Sequence, residues 1–366
     1  MIRESFSGPF DLFCRRMSSI KTASPYTRLI IDHIIEETRG FKTFVFREGH
    51  GIAYESGQFL TLSDLSGKDE IRRSYSITSS SFLQEPLSIG VKRIDNGYFS
   101  RKLYDRIKEG DTLLTTGAAG FFRLPENIQA FQQVFFFAAG SGISPIFSLL
   151  KTLLYKYPHI RTTLIYSNPS TEKTAFYTEL KQLENKFSET LHIDFLYSSI
   201  TDLRKARLNS ELLLELISNH SNQKDKTVFF LCGPESYMRM IQFHLVEEGF
   251  SGEFIKKEDF NPGGKKTTLP SPPDHGDYTI RINLHGTSHV FLAAFPDSIL
   301  QAARKEKLNL PYSCETGKCG SCAAICDLGE VWMSNNEVLT DKDLMRGYIL
   351  TCTGHAQKGG VSLKIE

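Results

Sequence analysis

Two rhythms of apolar and polar residues divide the chain. Between about Tyr26 and Pro125 the apolar runs are short, alternating or broken, as in Leu29-Ile-Ile-Asp-His-Ile, Phe41-Lys-Thr-Phe-Val-Phe and Gln58-Phe-Leu-Thr-Leu. Glycine and serine clusters separate them, a pattern that predicts a small antiparallel barrel. From Val134 the runs become continuously apolar: Val134-Phe-Phe-Phe-Ala-Ala, Thr163-Leu-Ile-Tyr, Ile193-Asp-Phe-Leu-Tyr and Val228-Phe-Phe-Leu-Cys. Helical spacings alternate with them. The first begins at Ile146 and is apolar at 146, 147, 149, 150, 153 and 154. Strands buried on both faces, separated by amphipathic helices, predict a parallel α/β sheet. The stretch NPGGKKTTLPSPPDHG from Asn261 has nothing with which to build a core and reads as a linker. The last ninety or so residues form a third unit. The expected divisions are an N-terminal extension at 1–24, a barrel at 25–126, an α/β domain at 127–256, a linker at 257–276 and a final domain at 277–366.

Composition narrows the class without naming it. Of 366 residues, 40% are apolar and 23% charged, as in an ordinary globular chain, and the formal net charge is +1. That balance gives no global footprint for nucleic acid. The run Val134-Phe-Phe-Phe-Ala-Ala-Gly is too short to span a bilayer, so no membrane is expected. The first residues show no apolar core with a cleavage site, and the seven cysteines are odd in number and clustered at one end. Both features predict a cytoplasmic protein rather than a secreted disulfide framework. The expected state is a monomer or weak oligomer.

Four of those cysteines carry the sharpest chemical signal. Cys314, Cys319 and Cys322 form C-x4-C-x2-C, and 29 further residues separate Cys322 from Cys352 in Gly347-Tyr-Ile-Leu-Thr-Cys, which reads as a strand. This is the plant-type [2Fe–2S] spacing. Two irons need four thiolates, and a tight loop supplies three of them. Gly317 and Gly320 suit a backbone that wraps closely around an inorganic core. A zinc site wants paired C-x2-C units, of which there is one, and a disulfide conflicts with the expected compartment. Cys326 falls outside the spacing and reads as a small buried hydrophobe.

Two glycine turns suggest phosphate sites. Gly140-Ser141-Gly142 joins an apolar strand to a helix, so its backbone N–H groups and the helix N-terminus face the same anion. Ser144 is the expected N-cap and Pro145 the first helical residue. Cys232-Gly233-Pro234 ends a further parallel strand, where such sheets bind ligands. Upstream, Arg73-Ser-Tyr-Ser76 opens a strand and Gly97-Tyr-Phe-Ser100 opens an amphipathic helix.

These motifs, with Val91-Lys92-Arg93 between the last two, resemble the ferredoxin–NADP reductase superfamily, and the region from about Asp277 resembles the plant-type ferredoxins. The resemblance implies a multi-domain chain: an antiparallel β-barrel FAD domain, an α/β parallel-sheet NAD(P) domain and a β-grasp ferredoxin domain. By it, Arg73 binds the FAD phosphates and Tyr75 packs on the isoalloxazine. Ser76 lies near flavin N5, Gly97 to Ser100 hold the pyrophosphate, Lys92 or Arg93 approaches the phosphates, and Val91 counts among the cofactor-binding residues. Gly140, Ser141 and Gly142 bind the nicotinamide dinucleotide. Cys232, with Gly233 and Pro234, lies beside the nicotinamide, so Ser76 and Cys232 are the expected catalytic pair. Phe260 resembles an aromatic near the flavin. Ser167, Ser170 and Lys173 after the second strand favour NADPH over NADH, with Glu172 nearby. The cofactors implied are FAD, a [2Fe–2S] cluster and NADPH or NADH.

Along its whole length from Tyr26 the chain is most similar to reductase subunits of the phenylacetyl-CoA epoxidase kind. The shared stretches are RRSYSI, GYFSR, AAGSGISP, CGPESYM and GYILTC. The implied acceptor is a di-iron oxygenase. Reductases of other oxygenases or of a hybrid-cluster protein share every motif. A redox-sensing interaction protein without turnover is the reading from another class.

Overall fold

The computed structural model describes residues 26–201, 206–220, 223–260, 270–284 and 286–365. The N-terminal extension at 1–24 and most of the Pro/Gly/Lys-rich linker lie outside these residues. The described chain builds three sheets in chain order.

The first is antiparallel, with strand order β4-β3-β6-β1-β2-β5. Its strands are β1 (Thr27–Thr38), β2 (Phe41–Phe46), β3 (Phe59–Asp64), β4 (Ile71–Ser76), β5 (Ser88–Lys92) and β6 (Thr112–Ala119). A bridge between Ile77 and Ile89 joins the end of β4 to β5 and closes the barrel. Leu29, Ile31, Phe44, Leu60, Leu62, Ile89 and Val91 fill its interior. The alternation read in β1 is real: every second residue of its first half is buried. One helix, α1 (Tyr98–Arg106), covers the barrel through Phe99 and Leu103.

The second sheet is parallel, with order β11-β10-β7-β8-β9. It contains β7 (Gln133–Ala139), β8 (Arg161–Asn168), β9 (Leu191–Tyr197), β10 (Thr227–Cys232) and β11 (Ile255–Glu258). Its faces are covered by α2 (Ile143–Lys156) and α3 (Tyr177–Lys186) on one side, and by α4 (Ser210–His220) and α5 (Glu235–Glu247) on the other. The phenylalanines of β7 divide between the two cores: Phe136 joins one, Phe135 and Phe137 the other. That two-sided burial explains the unbroken apolar run. Lys257 and Glu258, assigned by sequence to the linker, belong to β11, which pairs in register with β10.

The third sheet has order β13-β12-β16-β14-β15. Its strands are β12 (Tyr278–Leu284), β13 (Thr287–Ala293), β14 (Ala323–Met333), β15 (Tyr348–Leu350) and β16 (Gly354–Ile365). Strands β12 and β16 run parallel, and α6 (Ile299–Lys305) packs Ile299, Leu300, Ala302 and Ala303 onto them in a β-grasp. Ser298 starts α6 with a full capping box to Gln301. A short helix, α7 (Asp341–Met345), precedes β15. Among the described residues no helix is long and apolar enough to cross a membrane.

Candidate active site where three domains meet

The barrel and the parallel sheet are joined by small hydroxyl side chains that leave little room between them. Ser56 and Ser80 both meet Thr152 of α2, at 2.6 and 2.7 Å, and Ser148 donates to the Ser79 carbonyl at 2.5 Å. Lys151 pairs with Glu85 across the same seam. The ferredoxin unit sits on the barrel through Arg72, Ser74 and Phe121. It reaches the parallel-sheet domain through Lys318, which lies 3.4 Å from both Asp259 and Glu337.

A cleft of about 1440 Å³ opens where the three units converge. Arg73, Tyr75, Ser76, Lys92, Gly97 and Ser100 line it from the barrel. Ser141, Gly142, Gly233, Pro234, Glu258 and Phe260 line it from the second domain, and Cys314, Lys318 and Cys319 from the third. Such a volume suits a dinucleotide-sized ligand.

Within it, Arg73 is exposed and free to meet an anion, its Nη1 resting on its neighbour's carbonyl at 2.6 Å. Tyr75 is partly buried against Phe99, ring centroids 6.0 Å apart, and burial pushes its phenol up. The Ser100 hydroxyl is engaged inside the Gly97 turn, accepting from the Ile94 N–H at 3.3 Å and donating to the Gly97 carbonyl at 3.2 Å. It therefore shapes the turn whose first backbone N–H groups face the cleft. Lys92 is exposed and stands beside Gly140. Val91 does not share this space: its side chain is wholly buried in the barrel core. Replacement of Arg73 by alanine is expected to weaken FAD retention by roughly 10- to 100-fold, the scale of one or two charge-assisted hydrogen bonds. Flavin content after gel filtration checks it.

The glycine turn of the second domain differs from expectation in one detail. Gly140–Gly142 forms a single 3-10 turn that winds straight into α2, so the helix starts at Ile143 with Gly142 as its cap. Ser144 is inside the helix, donating back to the Ser141 carbonyl at 3.0 Å, and does not act as N-cap. Gly142 is required by proximity: a Cβ there would fall on the Cys232 carbonyl. The two glycine-containing turns of this domain are thus packed against each other. Gly140 takes a positive φ of 54°, and its carbonyl accepts from the buried Tyr166 hydroxyl at 3.2 Å.

Cys232 is fully buried at the tip of β10, behind Gly233 and Pro234, which line the cleft in its place. Burial, and then the charges of Glu258 and Asp259, raise its thiol, so it is a neutral group. The residue that sequence reasoning missed is Glu258. Register places it beside Cys232, and the Ser76 hydroxyl donates to its Oε1 at 3.1 Å across the domain boundary. Its Oε2 is buried without a partner. Burial, only partly offset by Ser76, pushes this carboxyl up to about 8. No local signal marks it, because Lys256-Lys-Glu-Asp reads as a solvated run. Phe260 follows at the cleft wall, 41% exposed.

The cysteine loop has the donor set that a cluster requires. The thiols of Cys314 and Cys319 contact each other, and those of Cys322 and Cys352 contact each other. These four thiols would hold a [2Fe–2S] cluster, which would supply one-electron transfer. A buried Thr316 hydroxyl inside the loop has no partner. Cys352 lies in the turn after β15, which ends at Leu350, and not in the strand itself. Thr351 ties that turn to the loop through two hydrogen bonds to the Cys322 carbonyl, 3.0 and 3.1 Å. Gly317 and Gly320 have φ of 78° and 74°. A Cβ on either would meet the Asn335 carbonyl or, at 2.7 Å, the Phe121 ring of the barrel. Backbone conformation and domain packing thus also call for glycine at these two positions. Cys326 is on β14, partly buried against the ferredoxin core.

Comparisons with known proteins agree with this architecture. Residues 30–124 match the oxidoreductase FAD-binding domain, 136–243 the oxidoreductase NAD-binding domain and 282–357 the 2Fe-2S iron-sulfur cluster binding domain. The chain is 30% identical to a subunit of the 1,2-phenylacetyl-CoA epoxidase of Escherichia coli K12 over 332 residues, covering 88% of this chain and 93% of that one. It is also 30% identical to the ferredoxin reductase component of 3-ketosteroid-9-alpha-monooxygenase from Rhodococcus rhodochrous, covering 92% and 96%. Among solved structures, phthalate dioxygenase reductase superposes with a TM-score of 0.58 at 24% identity, over 94% of this chain and all of that one. The donor sets of the cleft and loop fit the groups these domains bind: FAD, a nicotinamide dinucleotide and a [2Fe–2S] cluster. The chain is an oxidoreductase and belongs to the family of reductases that join an FAD-binding barrel, an NAD-binding α/β domain and a [2Fe–2S] ferredoxin domain, in that order.

Proposed function

We propose that this protein is the reductase component of a multicomponent oxygenase. In this reading it takes electrons from NADPH and delivers them through its ferredoxin domain to a di-iron epoxidase acting on phenylacetyl-CoA. The observation that carries the electron-transfer reading is the single cleft. It is lined by Ser76 and Glu258, by the Gly233-Pro234 turn, and by the cluster ligands Cys314 and Cys319. FAD, when bound, supplies the chemistry of taking a hydride and releasing electrons singly. The protein's own residues position and insulate. Arg73 and the Gly97 turn anchor phosphates, and Tyr75 covers a ring face. The Gly140 and Cys232 turns orient the dinucleotide. Glu258 holds a proton at the cleft wall, hydrogen-bonded to Ser76.

Support for the acceptor is the similarity to the epoxidase component and the shared motifs. Relatives of comparable identity carry other names, such as the ferredoxin reductase component of 3-ketosteroid-9-alpha-monooxygenase at 30% identity and the NADH oxidoreductase HCR of Escherichia coli K12 at 25% identity. Reconstitution decides between them. NADPH-dependent epoxidation of phenylacetyl-CoA by the other purified epoxidase components plus this protein is expected. Failure there, with full activity toward a Rieske-type oxygenase, overturns the assignment.

The preference for NADPH rests on Ser170 and Lys173 in the turn after β8, opposed by Glu172 in the same 3-10 turn. The Ser170 hydroxyl beside Glu172 holds its carboxyl below the usual range, so it is an anion at neutral pH. Lys173→Ala is expected to raise KM for NADPH roughly tenfold and to leave KM for NADH within about twofold. Equal effects on both, measured in steady-state assays, would remove the 2′-phosphate role.

A further inference from the structure

The strand that presents Arg73 and Tyr75 to the flavin side also holds the ferredoxin. Successive side chains of a strand point to opposite faces, and β4 uses both. Arg72 is 3% exposed. Its Nε and Nη2 bond to Glu70 at 2.6 and 3.1 Å, which balances its charge inside the barrel. The remaining donors cross to the ferredoxin: Nη2 to Asn309 Oδ1 at 2.6 Å and Nη1 to the Leu310 carbonyl at 3.4 Å. Its guanidinium also lies 3.9 Å from the Tyr312 ring centroid. The other face of that ring is taken by Arg304 at 3.8 Å, itself bidentate to Glu315 at 2.7 and 3.0 Å. Two positions further along β4, the hydroxyls of Ser74 and Ser313 meet at 2.7 Å.

We propose that Arg72, supported by Ser74, is a positioning residue for electron transfer, clamping residues 309–315 and with them the cluster ligand Cys314 against the strand that binds the flavin. The proposal rests on the reductase reading above. A planar, always-charged fork suits it: one guanidinium meets a carboxylate, an amide, a carbonyl and an aromatic face together, which an ammonium cannot do. Arg72 and Arg304 bracket Tyr312, and Glu315 follows Cys314 directly. The first ligand is thus held from both sides, while the flavin-facing residues of the same strand are untouched. One rigid strand then sets the separation between the two redox groups, and no flexible hinge intervenes.

The test uses the full-length holoprotein with Arg72→Lys, and FAD and iron contents determined first. Expected are unchanged contents and unchanged NADPH-ferricyanide activity. Cluster bleaching after NADPH mixing, followed by stopped flow, is expected to slow on the order of tenfold as the clamp loosens and the two redox groups are held less closely. A disulfide between Ser74→Cys and Ser313→Cys, whose hydroxyls already touch, is expected to restore the rate in the Arg72→Lys background, and reduction of that disulfide to abolish the rescue. Bleaching at the parent rate in Arg72→Lys overturns the proposal. So does loss of FAD, which would place Arg72 in the flavin site, or a slow rate that the cross-link leaves unchanged. Absence of ferricyanide reduction in the parent protein would instead sink the reductase reading itself.

A separate cluster carries a second inference. His192 and Asp194 lie two apart on the edge strand β9, facing α4, whose last residue is His220. One ligand atom from each falls within 4.8 Å of the others. His192 Nε2 is 3.3 Å from Asp194 Oδ1, and the two imidazoles lie 4.7 Å apart. Asp194 Oδ2 is buried with no partner. We infer that these three residues bind a transition-metal dication such as Zn2+, with an open position for water. The site lies at the start of β9, remote from the strand tips that face the cleft, so it ties an edge strand to its helix and takes no part in redox chemistry. Titration calorimetry of the holoprotein with ZnCl2 is expected to show one equivalent bound that weakens at least about tenfold in His192→Ala/His220→Ala. Undiminished stoichiometry and affinity in that variant, or no binding to the parent, overturns it.

Discussion

Replacement of Cys319 by serine is expected to abolish NADPH-dependent reduction of cytochrome c while leaving ferricyanide reduction within about twofold of the parent, because the cluster needs four thiolates and the flavin site does not contain this one. Cys319 and Cys314 are in mutual contact and share one end of the donor set, so the other thiolates cannot compensate. The barrel that holds the flavin has its own core, distinct from that around the cysteine loop. Ferricyanide accepts electrons at the flavin, whereas cytochrome c stands in for the protein acceptor beyond the cluster. The two assays therefore cut the path at different places. Equal loss of both activities would mean that the cluster does not lie downstream of the flavin.

The second large effect is expected at Glu258. Its carboxyl is held up to about 8 by burial, so at pH 7 it is mostly protonated. As pH rises through about 8 it ionises, and an anion then stands beside Ser76 at the cleft wall. Turnover with saturating NADPH is expected to fall over that range. Glu258→Gln keeps an acceptor for the Ser76 hydroxyl but has no titrating proton. It should lose the alkaline limb and lower turnover on the order of 10²-fold, the low end for a group that moves a proton. A parent-like rate and an unchanged limb would remove the proton role. The same shift affects stability. The folded apoprotein keeps a proton that the unfolded chain releases near the ordinary glutamate value of 4.5. Its contribution is therefore fully present below that value and is lost as pH rises through about 8. Glu258→Gln should flatten this part of the urea-midpoint profile.

Several features were legible because their chemistry is local. The spacing of Cys314, Cys319 and Cys322 is set by one loop, and strand-glycine-helix junctions such as Ala139-Gly-Ser-Gly are contiguous in sequence. The barrel strands could be read from period-two burial and the central sheet from unbroken apolar runs. Where reading failed, a non-local neighbour decided. Ser144 has the composition of a cap, but the Gly140 turn winds directly into α2 and moves the helix start. Val91 and Cys232 sit in motifs rich in site residues, yet a barrel interior and a strand tip bury them. At Gly320 the sequence shows only the cysteine loop, whereas the fold also brings Phe121 of the first domain against it.

By itself the sequence determined the cofactor classes and the order of the three domains, since these depend on short segments whose conformation neighbouring residues dictate. Only the tertiary structure decided that the three sites share one cleft, that Glu258 faces Ser76, and that Arg72 and Ser74 seize the cluster loop. Those contacts join residues 182, 237 and 239 positions apart. At that separation side-chain chemistry alone does not say which groups meet. Burial, and with it the raised carboxyl of Glu258 and the tied guanidinium of Arg72, exists only once the domains have closed on one another.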